Sequence, residues 1–260
     1  MRCKIIDEDD SILVCLKPAG LAVQSGRIGE ADVVSELKNY LSAGNNKPYL
    51  GLIHRLDQPV SGLMVFGKTP QAAAILSRQA ALRADGEMPE GAAQTNYGCE
   101  RMGTAEGKHG RDMPPSMEKE YSALLYPESG RSLPEEGTKL ELENYLIRDG
   151  RQNRSRVASK DEKGAKWAKL ELEILKHSSQ GYALAKIRLI TGRHHQIRVQ
   201  CAAAGFPLLG DARYGSPSGR KYAARLGFPS VCLCASGLCF SHPITRKRLE
   251  YRVEELPWKI

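Results

Sequence analysis

The sequence predicts an α+β fold: a mixed, largely antiparallel sheet with flanking helices. Three observations lead there. Stretches with strand character outnumber those with helical spacing. Trp167 to Leu175 alternates apolar and charged residues cleanly, as a strand with one exposed face does. The element order, strand, helix, two strands, helix, then several strands, fits neither a βαβ repeat nor an all-β chain. The chain of 260 residues is long enough for an ample core and carries no internal repeat or heptad. We read residues 1–260 as a single domain with a flexible insertion at about 84–116.

In order along the chain, Ser11 to Gly20 is an apolar strand closed by a Pro18-Ala19-Gly20 turn. Ala31 to Leu41 has helical spacing at Val34, Leu37 and Leu41, with Asp32 near its start. Leu50 to Ile53 and Leu63 to Phe66 are short apolar runs bounded by Gly and Pro, hence buried strands. The polar knot between them holds His54, Arg55 and Asp57, with Pro59 and Gly62 as its turn residues. A helix runs from about Pro70 to Arg83, with proline well placed in its first turn. Residues 84–116 then lose any sustained apolar period and fill with Gly, Pro, Glu and polar side chains. Lys119 to Leu125, Leu140 to Leu146, Trp167 to Leu175, Tyr182 to Thr191, Val231 to Phe240 and Leu249 to Val253 read as strands. His195 to Ala204 reads as a helix stopped by Gly205 and Pro207.

No apolar run approaches the roughly 20 residues of a membrane helix, and the N-terminus lacks a signal-peptide core. Seven cysteines without a framework pattern indicate reduced thiols and a cytoplasmic setting. Lys and Arg exceed Asp and Glu by 38 − 30 = 8, which favours a polyanionic partner. The cations crowd two stretches, Arg148 to Lys169 and Arg213 to Arg225. Only 6% of residues are aromatic, so a few bases gripped in a pocket fit better than stacking along an open groove.

Two segments carry candidate chemistry. A carboxylate on a loop held from both sides, as Asp57 is, suits a nucleophile or general base. The same residues also suit a plain turn, with Asp57 before Gln58-Pro59 forming an Asx-turn and Arg55 its ion-pair partner. Thr191 to Gln200 leaves a strand, turns at Gly192 and enters a helix. Arg193, His194, His195 and Gln196 there crowd a first turn that favours a phosphate or carboxylate, or simply cap it. Cys232, Cys234, Cys239 and His242 lack the knuckle of a zinc site and read as buried thiols; no metal is expected. There is no P-loop or Rossmann fingerprint.

His54-Arg55-Leu56-Asp57 with Ser61-Gly62-Leu63 and Lys68-Thr69 resembles a signature of the RluA-type pseudouridine synthases. Lys17-Pro18-Ala19-Gly20, Lys119-Glu120-Tyr121, Thr191 to Gln200, Gly205 to Gly215 and Phe240 to Pro243 resemble the family's further motifs, in order. Leu16, His194 and Gln200 stand where the family usually has Asn, Thr and His. The resemblance implies the pseudouridine synthase fold with a central active-site cleft, and an isomerase that turns a uridine in RNA into its C-glycoside. It implies Asp57 as the catalytic carboxylate, Arg198 as its partner, and Tyr121 as the ring stacking on the base. Arg55 is expected to fill the place of an extruded base, His54 to support the loop, and Arg193 and Gln196 to lie on the substrate side. No cofactor follows from that chemistry.

The implied partner is structured RNA, a ribosomal or transfer RNA stem-loop, with no membrane, no DNA and a monomeric enzyme. The chain begins at the catalytic domain's first strand, as in a short form without an N-terminal S4 domain. The insertion is either a surface excursion or an RNA-contacting flap. The competing reading is a catalytically inactive RNA-binding or ribosome-assembly protein on the same fold, which has no need of Asp57, Arg198 and Tyr121 together.

Overall fold

The computed structural model describes residues 1–27, 29–42, 47–82, 116–128 and 130–258. Apart from Ser116, the expected insertion lies outside the described residues. The strands are β1 (Lys4–Glu8), β2 (Ile12–Lys17), β3 (Gly51–Leu52), β4 (Ser61–Gly67), β5 (Glu118–Leu125), β6 (Lys139–Asp149), β7 (Arg154–Ala158), β8 (Lys166–His177), β9 (Ala183–Leu189), β10 (Leu233–Ser241) and β11 (Arg248–Arg252). The helices are α1 (Val33–Leu41), α2 (Pro70–Ala81), α3 (Gln196–Ala203) and α4 (Pro217–Arg225).

All eleven strands join one sheet in the order β1-β2-β4-β10-β5-β9-β8-β6-β7, with β3 also on β4 and β11 on β10. Only β4 and β10 run parallel among the described residues, so the sheet is mixed and largely antiparallel, as expected. On one face α1 and α3 bury Val33, Leu37, Ile197 and Cys201 against Leu13, Met64, Ala123 and Ile187. On the other, Leu76 of α2 meets Val14, Val65 and Phe240, and Ala223 of α4 meets Leu124 and Cys234. The β8 alternation is realised: Ala168, Leu170, Leu172 and Ile174 are buried, while Lys169, Glu171 and Glu173 pair across neighbouring strands.

Four features depart from the sequence reading. β1 and β7 are edge strands of charged composition, which local propensity does not announce; pairing with β2 and β6 makes them strands. α4 carries start signals that the basic cluster obscured, with Pro217 at its first turn and the Ser216 hydroxyl accepting from Gly219 N–H. The run from Leu50 to Ile53 contributes only Gly51 and Leu52 to the sheet. Beyond them the His54 Nε2 accepts the Val65 N–H at 3.3 Å, so an imidazole stands where a strand carbonyl would.

Gly62 is likewise not a turn residue but part of β4, with φ +135°. A Cβ there would lie 2.4 Å from the Ala235 backbone nitrogen, so glycine permits the close parallel approach of β4 to β10. Gly62→Ala is expected to cost about 2–4 kcal/mol through overpacking and an unfavourable φ. Thermal unfolding should then show a midpoint lower by on the order of 10 °C. A shift under about 2 °C would mean the strands can part freely.

Candidate active site

The loop from Ile53 to Val60 is fixed by backbone closure and a buried cation. Val60 N–H donates to the Asp57 carbonyl at 3.0 Å, closing a turn over Gln58-Pro59. Gly20 N–H donates to the Gln58 carbonyl at 2.8 Å, and the Gln58 amide donates back to the Gly20 carbonyl at 3.1 Å. Lys17 ends β2 at 0% exposure, and its ammonium donates to the carbonyls of Pro18, Leu21 and Gln58. Burial pulls that ammonium down to about 8, against the opposing pull of nearby groups including Asp57. The Pro18-Ala19-Gly20 turn and the Asp57 loop are thus one unit.

α3 presents Arg198, only 4% exposed, to that loop. Its Nη1 donates to Asp57 Oδ2 at 2.9 Å. Its Nε and Nη2 grip the fully buried Asp211 at 2.7 and 2.8 Å, a two-pronged pair. Burial alone would raise the Asp211 carboxyl, but Arg198 and the N–H groups of Arg213 and Tyr214 outweigh it and hold it below the usual range. Asp57 remains 27% exposed at its side chain, and Oδ1 has no hydrogen-bond partner among the described residues. The Asx-turn and Arg55 pairing are therefore not what this carboxylate does: its partner is Arg198, and Arg55 is exposed.

Tyr121 is buried on β5 and faces the cleft that Asp57 lines. Burial, with the Asp57 charge second, drives its phenol well above the ordinary value, so the ring keeps its proton. Lys119, two residues earlier on the same strand face, is lowered to about 8 by burial. His54 is held neutral by burial and by Lys119, and its buried Nδ1 has no partner among the described residues. The ring thus supports β4 from the loop.

Gln196 and Arg193 are placed differently from a free substrate contact. The buried Gln196 amide accepts from Thr191 Oγ1 and Arg193 N–H and donates to the Lys169 carbonyl. Arg193 Nε donates to the Trp167 carbonyl at 2.8 Å. Both hold the Thr191–His195 turn to β8 while lining the cleft. His195, at the N-cap of α3, makes no side-chain cap; its Nε2 lies 3.5 Å from Asp57 Oδ2. The anion at the start of this helix is the chain's own carboxylate. Asp211 and Tyr214 are site residues that the sequence reading did not select, although both lie in a quoted motif; His195 was singled out there only among the side chains crowding the first turn of the helix.

The cleft measures 1620 Å³, above the roughly 300–1,000 Å³ of small-molecule pockets. Asp57 is the one acidic side chain among its described lining residues, against Lys119 and seven arginines: Arg55, Arg148, Arg154, Arg193, Arg198, Arg213 and Arg220. Arg148 and Arg154 from one basic stretch of the sequence and Arg213 and Arg220 from the other reach this opening. Among the described residues no group of His, Cys, Asp and Glu is disposed to hold a metal ion. His242 instead binds Asp9 at 2.8 Å and accepts the Thr245 N–H. No described helix is long and apolar enough to cross a membrane.

Comparison with known proteins shows the class: the chain is similar to RNA-modifying synthases. The RNA pseudouridylate synthase family matches residues 11–85 and 114–203. The dual-specificity RNA pseudouridine synthase RluA of Escherichia coli is 30% identical over 92% of this chain and 87% of its own length. The mitochondrial RNA pseudouridine synthase 4 of Arabidopsis thaliana is 30% identical over 81% of this chain, which spans 40% of that protein. The human RNA pseudouridylate synthase domain containing 1 shares the fold, with a TM-score of 0.63 at 19% identity, over 97% of this chain and 83% of that one. This chain belongs to the RNA pseudouridine synthase family, in its RluA-type branch. It is accordingly an isomerase that acts on RNA.

Asp211→Asn would leave the buried Arg198 charge short of a partner, at a cost of about 3–5 kcal/mol near neutral pH. Because the Asp211 carboxyl is lowered on folding, its contribution is full above the unfolded value, near 3.8, and fades as pH falls through the folded value. Melting curves of wild type and variant should differ most near neutral pH and converge only in acid below the unfolded value, as pH falls through the folded one. A gap independent of pH would remove the ionised pair from the account.

Proposed function

We infer that the chain isomerises a specific uridine in structured RNA to pseudouridine, with Asp57 as the catalytic carboxylate acting on an extruded nucleoside. The single observation that carries this is the pairing of Asp57 with Arg198 beside Tyr121, in a cleft whose other charged lining side chains, among the described residues, are cations. The reaction breaks the N1–C1′ bond, turns the base and joins C5 to C1′; C5 gives up its proton, N1 gains one and nothing is oxidised. It therefore needs one oriented carboxylate, a surface for the detached base, and shelter from water.

Arg198 holds the Asp57 carboxylate aimed through Oδ2, leaving Oδ1 for the sugar. Tyr121 offers a ring to the base and, being protonated, a hydroxyl donor. A stacked uridine must leave its helix to reach them. Arg55, exposed at the rim and without an ion-pair partner among the described residues, is the side chain available to fill the vacated stack. Arg148, Arg154 and Arg213 line the same opening and suit the backbone phosphates of a ribosomal or transfer RNA stem-loop. The six described cysteines are free thiols, which suits a reducing cytoplasm.

Asp57→Asn should lower turnover by at least about 10⁴-fold, the scale on which an essential side chain acts. RNA affinity and melting temperature should stay close to wild type. Pseudouridine formation by this variant at the wild-type rate would sink the mechanism; a wild-type chain that binds RNA yet forms none would favour the inactive-binder reading. Arg55→Ala, exposed and unpaired, should leave melting unchanged and slow single-turnover conversion by about 10–100-fold, the range of a misplaced reacting group. An unchanged rate would remove Arg55 from base extrusion.

A further inference from the structure

We propose that His195 is a positioning residue for the reaction, its Nε2–H steering the Asp57 carboxylate while the Tyr214 hydroxyl fixes the ring's tautomer. The proposal rests on the reading of Asp57 as the catalytic carboxylate. His195 sits where a helix usually places Ser, Thr, Asp or Asn to cap its N–H groups. It caps nothing, and its backbone is left-handed at φ 55° and ψ 25°. A non-glycine residue in that region costs on the order of 1 kcal/mol, and such cost persists where the surroundings over-determine the geometry.

The surroundings do so here through the ring. His195 Nδ1 lies 2.8 Å from the Tyr214 hydroxyl oxygen. That oxygen accepts the Ser155 N–H from β7 at 2.8 Å, which leaves its own proton free to be donated to Nδ1. At the other end, Nε2 is 3.5 Å from Asp57 Oδ2, the oxygen that already accepts from Arg198. A bare lone pair on Nε2 would face a carboxylate, so the proton belongs on Nε2. Both ends of the ring demand the same tautomer.

Burial lowers the imidazole to about 4, with Asp57 opposing and Arg198, His194 and Arg213 assisting; it therefore works uncharged at neutral pH. His194 stacks on this ring with centroids 3.7 Å apart. His194 is itself held by Ser155 Oγ at 2.8 Å and Asn153 Oδ1 at 3.1 Å. The β6–β7 hairpin thus grips the imidazole through Tyr214 and His194. At 3.5 Å the Nε2 contact is electrostatic rather than a hydrogen bond, and a movement of about half an ångström closes it. Substrate binding against Asn153 and Arg154, which line the cleft beside it, is placed to make that movement.

The test compares two amides at position 195 in the full chain, with nitrogen-15 NMR of the wild-type imidazole. Gln carries its amide nitrogen near the position of Nε2, whereas Asn reaches only to that of Nδ1. Asn, however, tolerates the left-handed backbone better. His195→Asn should lower single-turnover rate by about 10–100-fold with RNA affinity within about 2-fold, and His195→Gln should recover most of the rate despite its poorer backbone fit. NMR at neutral pH should show the proton on Nε2. Equal losses in both variants, no loss in either, or a proton on Nδ1 would overturn the proposal. Should Asp57→Asn itself remain active, the underlying reading fails instead, and the NMR result still reports separately on the ring.

Discussion

One guanidinium organises the site. Arg198 reaches from α3 to two carboxylates that lie far apart in sequence, Asp57 before β4 and Asp211 after the helix. The bidentate grip on Asp211 uses Nε and Nη2, so Arg198 can direct Nη1 only at Asp57. A buried charge with a single partner would be costly and free to swing; two partners on a nearly inaccessible side chain fix its plane. The sheet serves this arrangement, because α3 and the Asp57 loop meet only if β4 and β10 close side by side at Gly62.

A second buried cation stabilises the other side of the loop. Lys17 takes three carbonyls inside the protein, which satisfies its donors and ties the end of β2 to Gln58, next to the catalytic candidate. The two anchors act on different atoms: Lys17 fixes the backbone of the loop and Arg198 the carboxylate it carries. Positioning a reacting oxygen requires both, since a fixed backbone with a free rotamer still leaves that oxygen wandering.

Local periodicity made the sheet legible, and motif resemblance made Asp57, Tyr121 and Arg198 legible. What escaped were consequences of long-range pairing. Gly62 reads as a turn glycine in any short window; only the neighbouring Ala235 backbone reveals it as a contact glycine within β4. β1 and β7 are polar and acquire strand geometry from partners, not from propensity. Nothing local in the sequence tells of the carbonyl cage around Lys17 or the depth of Lys119. Arg193 and Gln196 were expected on the substrate side, yet their hydrogen bonds hold the turn to β8, an assignment that required knowing which strand lies beneath.

The electrostatic setting explains why a lone acid in so basic a cleft needs this degree of enclosure. On the proposed function, RNA phosphates entering the opening would compete with Asp57 for every cation they can touch. Arg148, Arg154 and Arg220 are exposed and open to such competition. Arg198 is not, because Asp211, Tyr214 and the body of α3 cover it, with its guanidinium 5.2 Å from the Tyr214 ring centroid. On that proposal, phosphate binding at the rim and carboxylate orientation at the base of the cleft fall to different arginines. The polyanion can be gripped strongly without drawing away the cation that keeps the acid in place.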